Sequence, residues 1–250
     1  MQNTFKISII TVVFNSQKLI ERTIKSVLQQ SYAGIEYIII DGGSIDGTIE
    51  IIKKYQSKIA IVKSEKDKGI YDAMNKGLGL ATGEYVLFLN AGDELYNADT
   101  LTTIFYASPD ADVYYGNTKV VNEQGTELGD RRLKPPVRLN WKSLKFGMCV
   151  SHQSFIPKRA LCNFYDLNFA VSADIDWMIK VLKKSKRIVN TNVYIAKFLE
   201  GGVSNKHRAK ALRERFLIMT NHYGFASTLW NHLFIILRYP IHKLTGRSMT

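Results

Sequence analysis

Four short apolar runs, each cut off by a loop of turn-forming and acidic residues, restrict this chain more than any other feature. The sharpest is Tyr85-Val86-Leu87-Phe88-Leu89, which stops at Asn90-Ala91-Gly92-Asp93. A run this short and this apolar reads as a strand buried on both faces, the pattern of a parallel sheet. The others are Lys6 to Phe14, Ile35 to Ile40 (closed by Asp41-Gly42-Gly43-Ser44), and Ile59 to Val62. Helical periodicity fills the gaps. Asn15 and Ser16 cap a face of Leu19, Ile20, Ile24, Val27 and Leu28. Asp46 is the N-cap candidate for a helix carrying Ile51, Ile52 and Tyr55, and Ile70 to Ala81 recurs at helical spacing before Thr82-Gly83. Strands alternating with helices predict right-handed crossovers and a mostly parallel, Rossmann-like sheet flanked by helices.

Past Asp93 the pattern loosens. Leu101 to Tyr106 reads as a helix, Asp112 to Val121 as a strand, and Asn122 to Gly125 as a hairpin turn. Leu133 to Gly147 has no clear period. Ile175 to Leu182 is helical, Ile188 to Ile195 is a strand, and Lys206 to His222 and Leu229 to Leu237 are further helices. The predicted organisation is a catalytic unit over 1–205, split at about residue 100, and a basic helical extension over 206–250.

Charge follows the same division. From Trp177 onward Glu200 and Glu214 face 14 Lys and Arg, so this segment carries the whole chain's net +12 and residues 1–176 sum to zero. The last third should therefore meet something anionic: a diphosphate, acidic lipid or nucleic acid. Cys149 and Cys162 show no metal-ligand spacing, which points to a reducing compartment without a disulfide framework. The polar start and the lack of any apolar run near ~20 residues argue for a cytoplasmic chain.

Three strands end in acidic loops, at Asp41, Asp67 and Asp93. In a parallel sheet those ends share one edge, where ligands bind. A carboxylate at Asp93 beside Gly92 suits a hard cation carrying a diphosphate, and an ordinary turn or cap is the plain alternative. Neither G-x-G-x-x-G nor G-x-x-x-x-G-K-[ST] occurs, which removes the main warrant for dinucleotide and P-loop readings.

Four segments in register carry a resemblance: T-V-V-F-N-S, I-I-I-D-G-G-S-I-D-G-T, S-E-K-D-K-G-I-Y-D-A-M-N-K-G and A-T-G-E-Y-V-L-F-L-N-A-G-D. Over about the first 100 residues the chain resembles glycosyltransferase family 2. A weaker match continues through Ser151 to Ser154, Ser172 to Trp177 and Phe198 to Ser204. The resemblance implies a GT-A fold, a nucleotide-diphosphate sugar donor with UDP the leading nucleotide, Mg2+ or Mn2+, and inversion at the anomeric carbon. It places Thr11, Val13 and Asn15 beside the nucleoside and gives Asp41 the base N–H. Asp67 then flanks the nucleotide, and Asp72 and Asn75 lie near the sugar. Asn90, Ala91 and Gly92 line the donor site, Asp93 holds the metal, and Asp174 is the general base on the acceptor hydroxyl.

Two departures stand out. Many relatives have D-x-D-D where this chain has Asn90-Ala91-Gly92-Asp93, and Glu-Asp where it has Ala173-Asp174. The expected acceptor is a glycan or lipid-linked sugar in surface polysaccharide assembly, with no nucleic acid as partner. His152 is read as shaping the acceptor pocket. Phe198 to Ser204, followed by Lys206, His207, Arg208 and Lys210, is expected as a glycine-rich lid with a basic start. Leu229 to Leu244 pairs Trp230, Leu233, Phe234, Ile236 and Leu237 with Arg238 and Lys243, which suits a helix in an anionic membrane interface at the inner face of the cell membrane. Packing on the catalytic domain or on a second subunit, as a homodimer, is the alternative use of that face. The rivals to the enzyme are an inactive scaffold, prompted by the missing carboxylates, and a nucleic-acid-binding protein, prompted by the basic third.

Overall fold

The computed structural model describes residues 5–108, 110–201 and 208–233. The four apolar runs become β1 (Ile7–Val13), β2 (Ile35–Asp41), β3 (Ile61–Ser64) and β4 (Tyr85–Phe88), all parallel in the order β3-β2-β1-β4. Alternate side chains feed two separate cores. Ile10, Val12, Ile38 and Ile40 pack with Ala73, Met74 and Leu78 of α3 (Ile70–Leu80) on one face. Ile7, Ile9, Val13 and Ile39 pack with α1 (Ile20–Leu28) and α2 (Thr48–Lys54) on the other. That double burial is why β1, β2 and β4 are mostly apolar rather than alternating, and the polar side chains they do bury, Ser8, Thr11 and Glu36, are hydrogen-bonded. Helix α3 lies so close to the sheet that a Cβ on Gly77 would overlap Ile10 and come within 3.3 Å of Ile40.

The second half supplies a mixed sheet. It contains β5 (Glu94–Leu95), β6 (Val113–Val121), β7 (Glu127–Asp130), β8 (Phe155–Pro157) and β9 (Ile188–Leu199). Only β6 and β9 run parallel among its named pairs, and the turn at 122–125 makes β6 and β7 the expected hairpin. α4 (Thr100–Ala107) and α5 (Ala173–Lys184) fall close to the helical patterns in the sequence. This is the α/β, GT-A architecture expected from the sequence, with its parallel sheet flanked by helices.

Several local expectations change. Asn15 and Ser16 do not cap α1, whose N-cap is Leu19. The N-cap of α2 is Gly47, while Asp46 accepts from the N–H groups of Thr48 and Gln17. β9 runs on to Leu199, past the expected end at Ile195, because Leu199 pairs with Val121 and donates its N–H to Asp93. The stretch without period, 133–147, holds a 3-10 turn, Trp141–Phe146, closed by an Asn140–Ser143 capping box. These ends were set by partners distant in sequence, which periodicity does not register.

The basic segment is only partly separate. α6 (Arg208–Tyr223) buries Ile218 and Met219 in the same core as Trp177 and Met178. A further helical stretch, 225–233, exposes Phe225, Leu229, Trp230 and Leu233. Gly202 to Ser204, Lys206, His207, Phe234, Ile236, Leu237, Arg238 and Lys243 lie outside the described residues, and so do the last three residues of the expected lid and the basic end of the expected membrane helix, while Phe198 and Leu199 of that lid belong to β9. Among the described residues no helix is long and apolar enough to cross a membrane.

Candidate active site

β1 and β2 run in register to their ends, so Val13 and Asp41 reach the carboxyl edge side by side, with Ser64 of β3 next to Asp41. The loops beyond are tied together. Asn15 accepts from the Ile45 N–H at 3.0 Å and donates its own N–H to Ser44 Oγ at 2.8 Å. Asp41 is wholly buried and accepts from Gly43 N, Ser44 N, the Ser44 hydroxyl and the Ser64 hydroxyl. Three of these donors meet Oδ2 and only the Ser44 hydroxyl meets Oδ1. Thr11 faces the core, within 3.1 Å of the Tyr37 hydroxyl, and Val13 is buried too.

What stays open at this edge is Asp67 and Phe14. Asp67 Oδ1 accepts from Gly69 N at 2.8 Å, while Oδ2 has no hydrogen-bond partner among the described residues. Gly42 is buried, and a Cβ on it would overlap Asp67 Oδ2 and lie 3.4 Å from the Phe14 ring, so carboxylate and ring pack over the same stretch of backbone. Phe14 is 60% exposed, a large value for an aromatic next to a strand end. Neighbouring Asp72 and Asn75 are engaged elsewhere. Asp72 accepts from Lys68 N and pairs with Lys76, and that N–H holds its carboxyl below the usual range. Asn75 uses both ends of its amide on the backbone of Tyr165, clamping α3 to the second half of the chain.

A second group forms where β4 ends. Asp93 is buried and turned inward, accepting from Gln153 Nε2 at 2.7 Å and Leu199 N at 2.9 Å. Ala91 donates to Val12 O, and Gly92 donates to Thr23 Oγ1 at a point where a Cβ would lie 2.7 Å from Leu199. Asn90 differs: its Oδ1 is buried and has no partner. Its Nδ2 lies 3.3 Å from His152 Nε2, which leaves Nδ1 of that ring to carry the proton and face Asp174 Oδ2 at 3.6 Å. Asp174 sits in the first turn of α5, where backbone N–H groups favour a negative charge, and accepts from Ile175 N. The hydroxyl of Tyr165 is also buried and unpartnered, and Asp174's charge adds to the burial that pushes this phenol up.

Two side chains near the end of β4 have capacity for a divalent cation. Asp93, the expected ligand, is buried and takes one protein donor on each oxygen, which leaves a lone pair on each. No group of three or more His, Cys, Asp or Glu side chains is arranged for a metal among the described residues. Asn90 Oδ1 is an oxygen with capacity to spare.

Burial pushes Asp93 up to about 6 against hydrogen bonds from Leu199 and Gln153 that act the other way. The unfolded carboxyl titrates near 3.8, so folding disfavours the ionised form. That cost is absent below about pH 4, grows to pH 6 and reaches about 3 kcal/mol above it. In EDTA, the stability of the native chain relative to Asp93→Asn should therefore fall as pH rises from 4 to 7. A difference that stays flat across that window would show Asp93 to titrate normally.

One residue of consequence escaped the sequence reading. Glu214 of α6 is buried and accepts from the N–H groups of Ala170, Val171 and Ser172, each at 2.9 Å. This three-fold cap fixes the segment that delivers Asp174. The available signal was the isolation of Glu214 in a segment dominated by Lys and Arg. Asp176, by contrast, belongs to the scaffold: His222 Nε2 and Lys180 hold it, and their hydrogen bonds outweigh burial to keep its carboxyl low.

Comparison with known proteins converges on these elements. The family description "Glycosyl transferase family 2" matches residues 8–164, which span β1 to β8. The PGL/p-HBAD biosynthesis glycosyltransferase of Mycobacterium bovis (strain BCG / Pasteur 1173P2) is 29% identical over 97% of this chain and 93% of its own. S. aureus TarS 1-349, solved in complex with UDP-GlcNAc, superposes with a TM-score of 0.68 at 21% identity, covering 97% of this chain and 76% of that one. The mannosyltransferase PcManGT from Pyrobaculum calidifontis, solved with GDP-Man and Mn2+, gives 0.61 at 17% identity over 99% and 77%. With its motifs in register, its parallel sheet in place and a family match over more than half its length, the chain belongs to glycosyl transferase family 2 and is a glycosyltransferase.

Proposed function

We propose that this enzyme transfers a sugar from a UDP-sugar to a hydroxyl of a glycan or lipid-linked acceptor, with inversion, in surface polysaccharide assembly. The observation that carries the donor half is the exposed Phe14 ring beside Asp67, whose Oδ2 accepts no hydrogen bond among the described residues. Phe14 offers a face for a base to stack on, and Asp67 Oδ2 is a free acceptor for a base N–H such as that of uracil. Asp41, buried and holding four protein donors, keeps the loop in shape for that contact, and Asn15 joins the loops after β1 and β2. The likeness to a protein solved with UDP-GlcNAc supports the choice of nucleotide.

Transfer passes through an oxocarbenium-like state as the acceptor hydroxyl loses its proton. Asp174 takes that proton. His152 faces it from one side and Asn90 holds the far nitrogen of the ring, so the imidazole orients the carboxylate rather than replacing it. Mg2+ or Mn2+ would be held by Asn90 Oδ1 with the donor diphosphate and water, where it stabilises charge on the leaving group. The apolar face exposed over 225–233 then rests on an anionic membrane or a second copy of the chain, near the acceptor.

A thermal-shift comparison of UDP-, GDP- and TDP-sugars, with and without Mn2+, tests the donor. UDP-sugars should stabilise most, because binding shifts unfolding by mass action. Asp67→Asn and Phe14→Ala should each weaken UDP binding about tenfold, a loss near 1.4 kcal/mol. UDP binding that survives both substitutions unchanged would move the base elsewhere.

A further inference from the structure

Two arginines on the far side of Asp174 have no role in this scheme. Arg131 follows β7, and Arg215 lies on α6, 84 residues later in the chain. Among the described residues neither side chain makes a hydrogen bond or an ion pair, and Arg131 Nη1 is buried with no partner at all. Buried polar groups are normally satisfied, and a cation removed from water without an anion is costly, so the buried, unpartnered Arg131 Nη1 calls for an explanation. Nearby acids are already committed: Asp130 pairs with Lys119 and Lys134.

Arg131 lines a cavity of about 150 Å³ together with Asn117, Asp130, Lys134, Cys149, Ser151 and Tyr194. Arg215 stands beside it. A Cβ on Gly147 would meet Arg215 Nη2 at 3.2 Å and Leu133, another cavity residue, at 3.1 Å. All the residues lining the cavity lie at 117 or beyond, so the loops that make the nucleotide edge contribute none. Asp174 joins the two regions. It reaches the β4 end through His152 and Asn90, and its charge opposes the burial that pulls both guanidiniums below the usual arginine range. The lining carries two cations, Arg131 and Lys134, against the single carboxylate of Asp130, and Arg215 beside it adds a third, so the pocket is short of negative charge.

We propose that the acceptor carries an oxyanion, a phosphate ester or a carboxylate, which Arg131 and Arg215 hold in this cavity so that the neighbouring hydroxyl faces Asp174. The fork of a guanidinium matches both groups bidentately, and an anion here completes the charge of the pocket. The proposal rests on the transferase reading and on Asp174 as its base. It adds the chemical class of the acceptor.

Titration of the full chain, saturated with UDP, with glucose 6-phosphate, glucuronate and glucose tests it. These pyranoses differ in the charged group they carry. At least one anionic sugar should bind about tenfold or more tightly than glucose, and which one does so separates phosphate from carboxylate. Arg131→Gln and Arg215→Gln should remove the preference while UDP affinity stays unchanged. Lys142→Gln, a change at a surface cation, should leave the preference intact. Arg131→Lys keeps the charge but loses the fork, and it should weaken the preference several-fold even if the Gln variant fails to fold. No preference for either anion, or one that survives Arg131→Gln, overturns the proposal. A parallel loss of UDP binding would assign the arginines to the donor instead. Failure of the native chain to bind UDP would count against the donor reading and is seen before any sugar is added.

Discussion

Asp174→Asn should lower sugar transfer by ~10²-fold or more while UDP-sugar binding stays within about twofold of native, since general-base catalysis is typically worth ~10²–10⁴-fold. The substitution keeps the size of the side chain, its place in the first turn of α5 and an oxygen for the Ile175 N–H. It removes only the lone pair able to take a proton. Turnover should therefore fall with little change in donor affinity, the signature of an interaction made in the transition state. His152→Ala should cost less, because the ring faces Asp174 at 3.6 Å, beyond an ordinary hydrogen bond, and orients it. A variant of Asp174 that transfers within a few-fold of native would move the base, and Asp72 is the remaining carboxylate with partial exposure near the cleft.

The other large effect is expected far from the chemistry in sequence. Glu214→Ala strips the acceptor from three backbone N–H groups at once. A buried donor left unsatisfied costs about 1–3 kcal/mol, so the loss should be at least about 3 kcal/mol unless water enters. Glu214→Gln should be intermediate. Its oxygen can keep the Val171 and Ser172 N–H groups, but its NH2 would face the N–H of Ala170. Both variants should lose turnover beyond what unfolding explains, because segment 170–172 runs directly into α5 and positions Asp174. Chemical denaturation together with kcat/KM on the folded fraction measures the two effects separately. Loss of less than about 0.5 kcal/mol in Glu214→Ala would show that this cap is dispensable.

Much of the donor half was legible in the sequence because its physics is local. Strands buried on both faces must be largely apolar, so Ile7–Val13, Ile35–Asp41 and Tyr85–Phe88 declare themselves as short apolar runs despite the buried Ser8, Thr11 and Glu36. The helix Ile70–Leu80 declares itself by period, and parallel pairing then forces the loops after β1, β2 and β3 to one edge. What those loops do with their side chains is decided by the tertiary structure. Asp41, Asp67 and Asp93 are alike as letters. The first is buried and held by four donors from its own loop and the end of β3, the second keeps one oxygen bare, and the third turns inward to hold Gln153 and the end of β9. Asn90, which looked like a lost carboxylate, carries the unpartnered oxygen. The acceptor side was the least readable, since its groups come from contacts across 40 to 100 residues: Glu214 on segment 170–172, Asn75 on Tyr165, Tyr71 on Val171. A sequence fixes hydrophobic period and turn chemistry, which act between neighbours. Which of several identical carboxylates stays free depends on the donors the fold brings to it, and only the packed chain decides that.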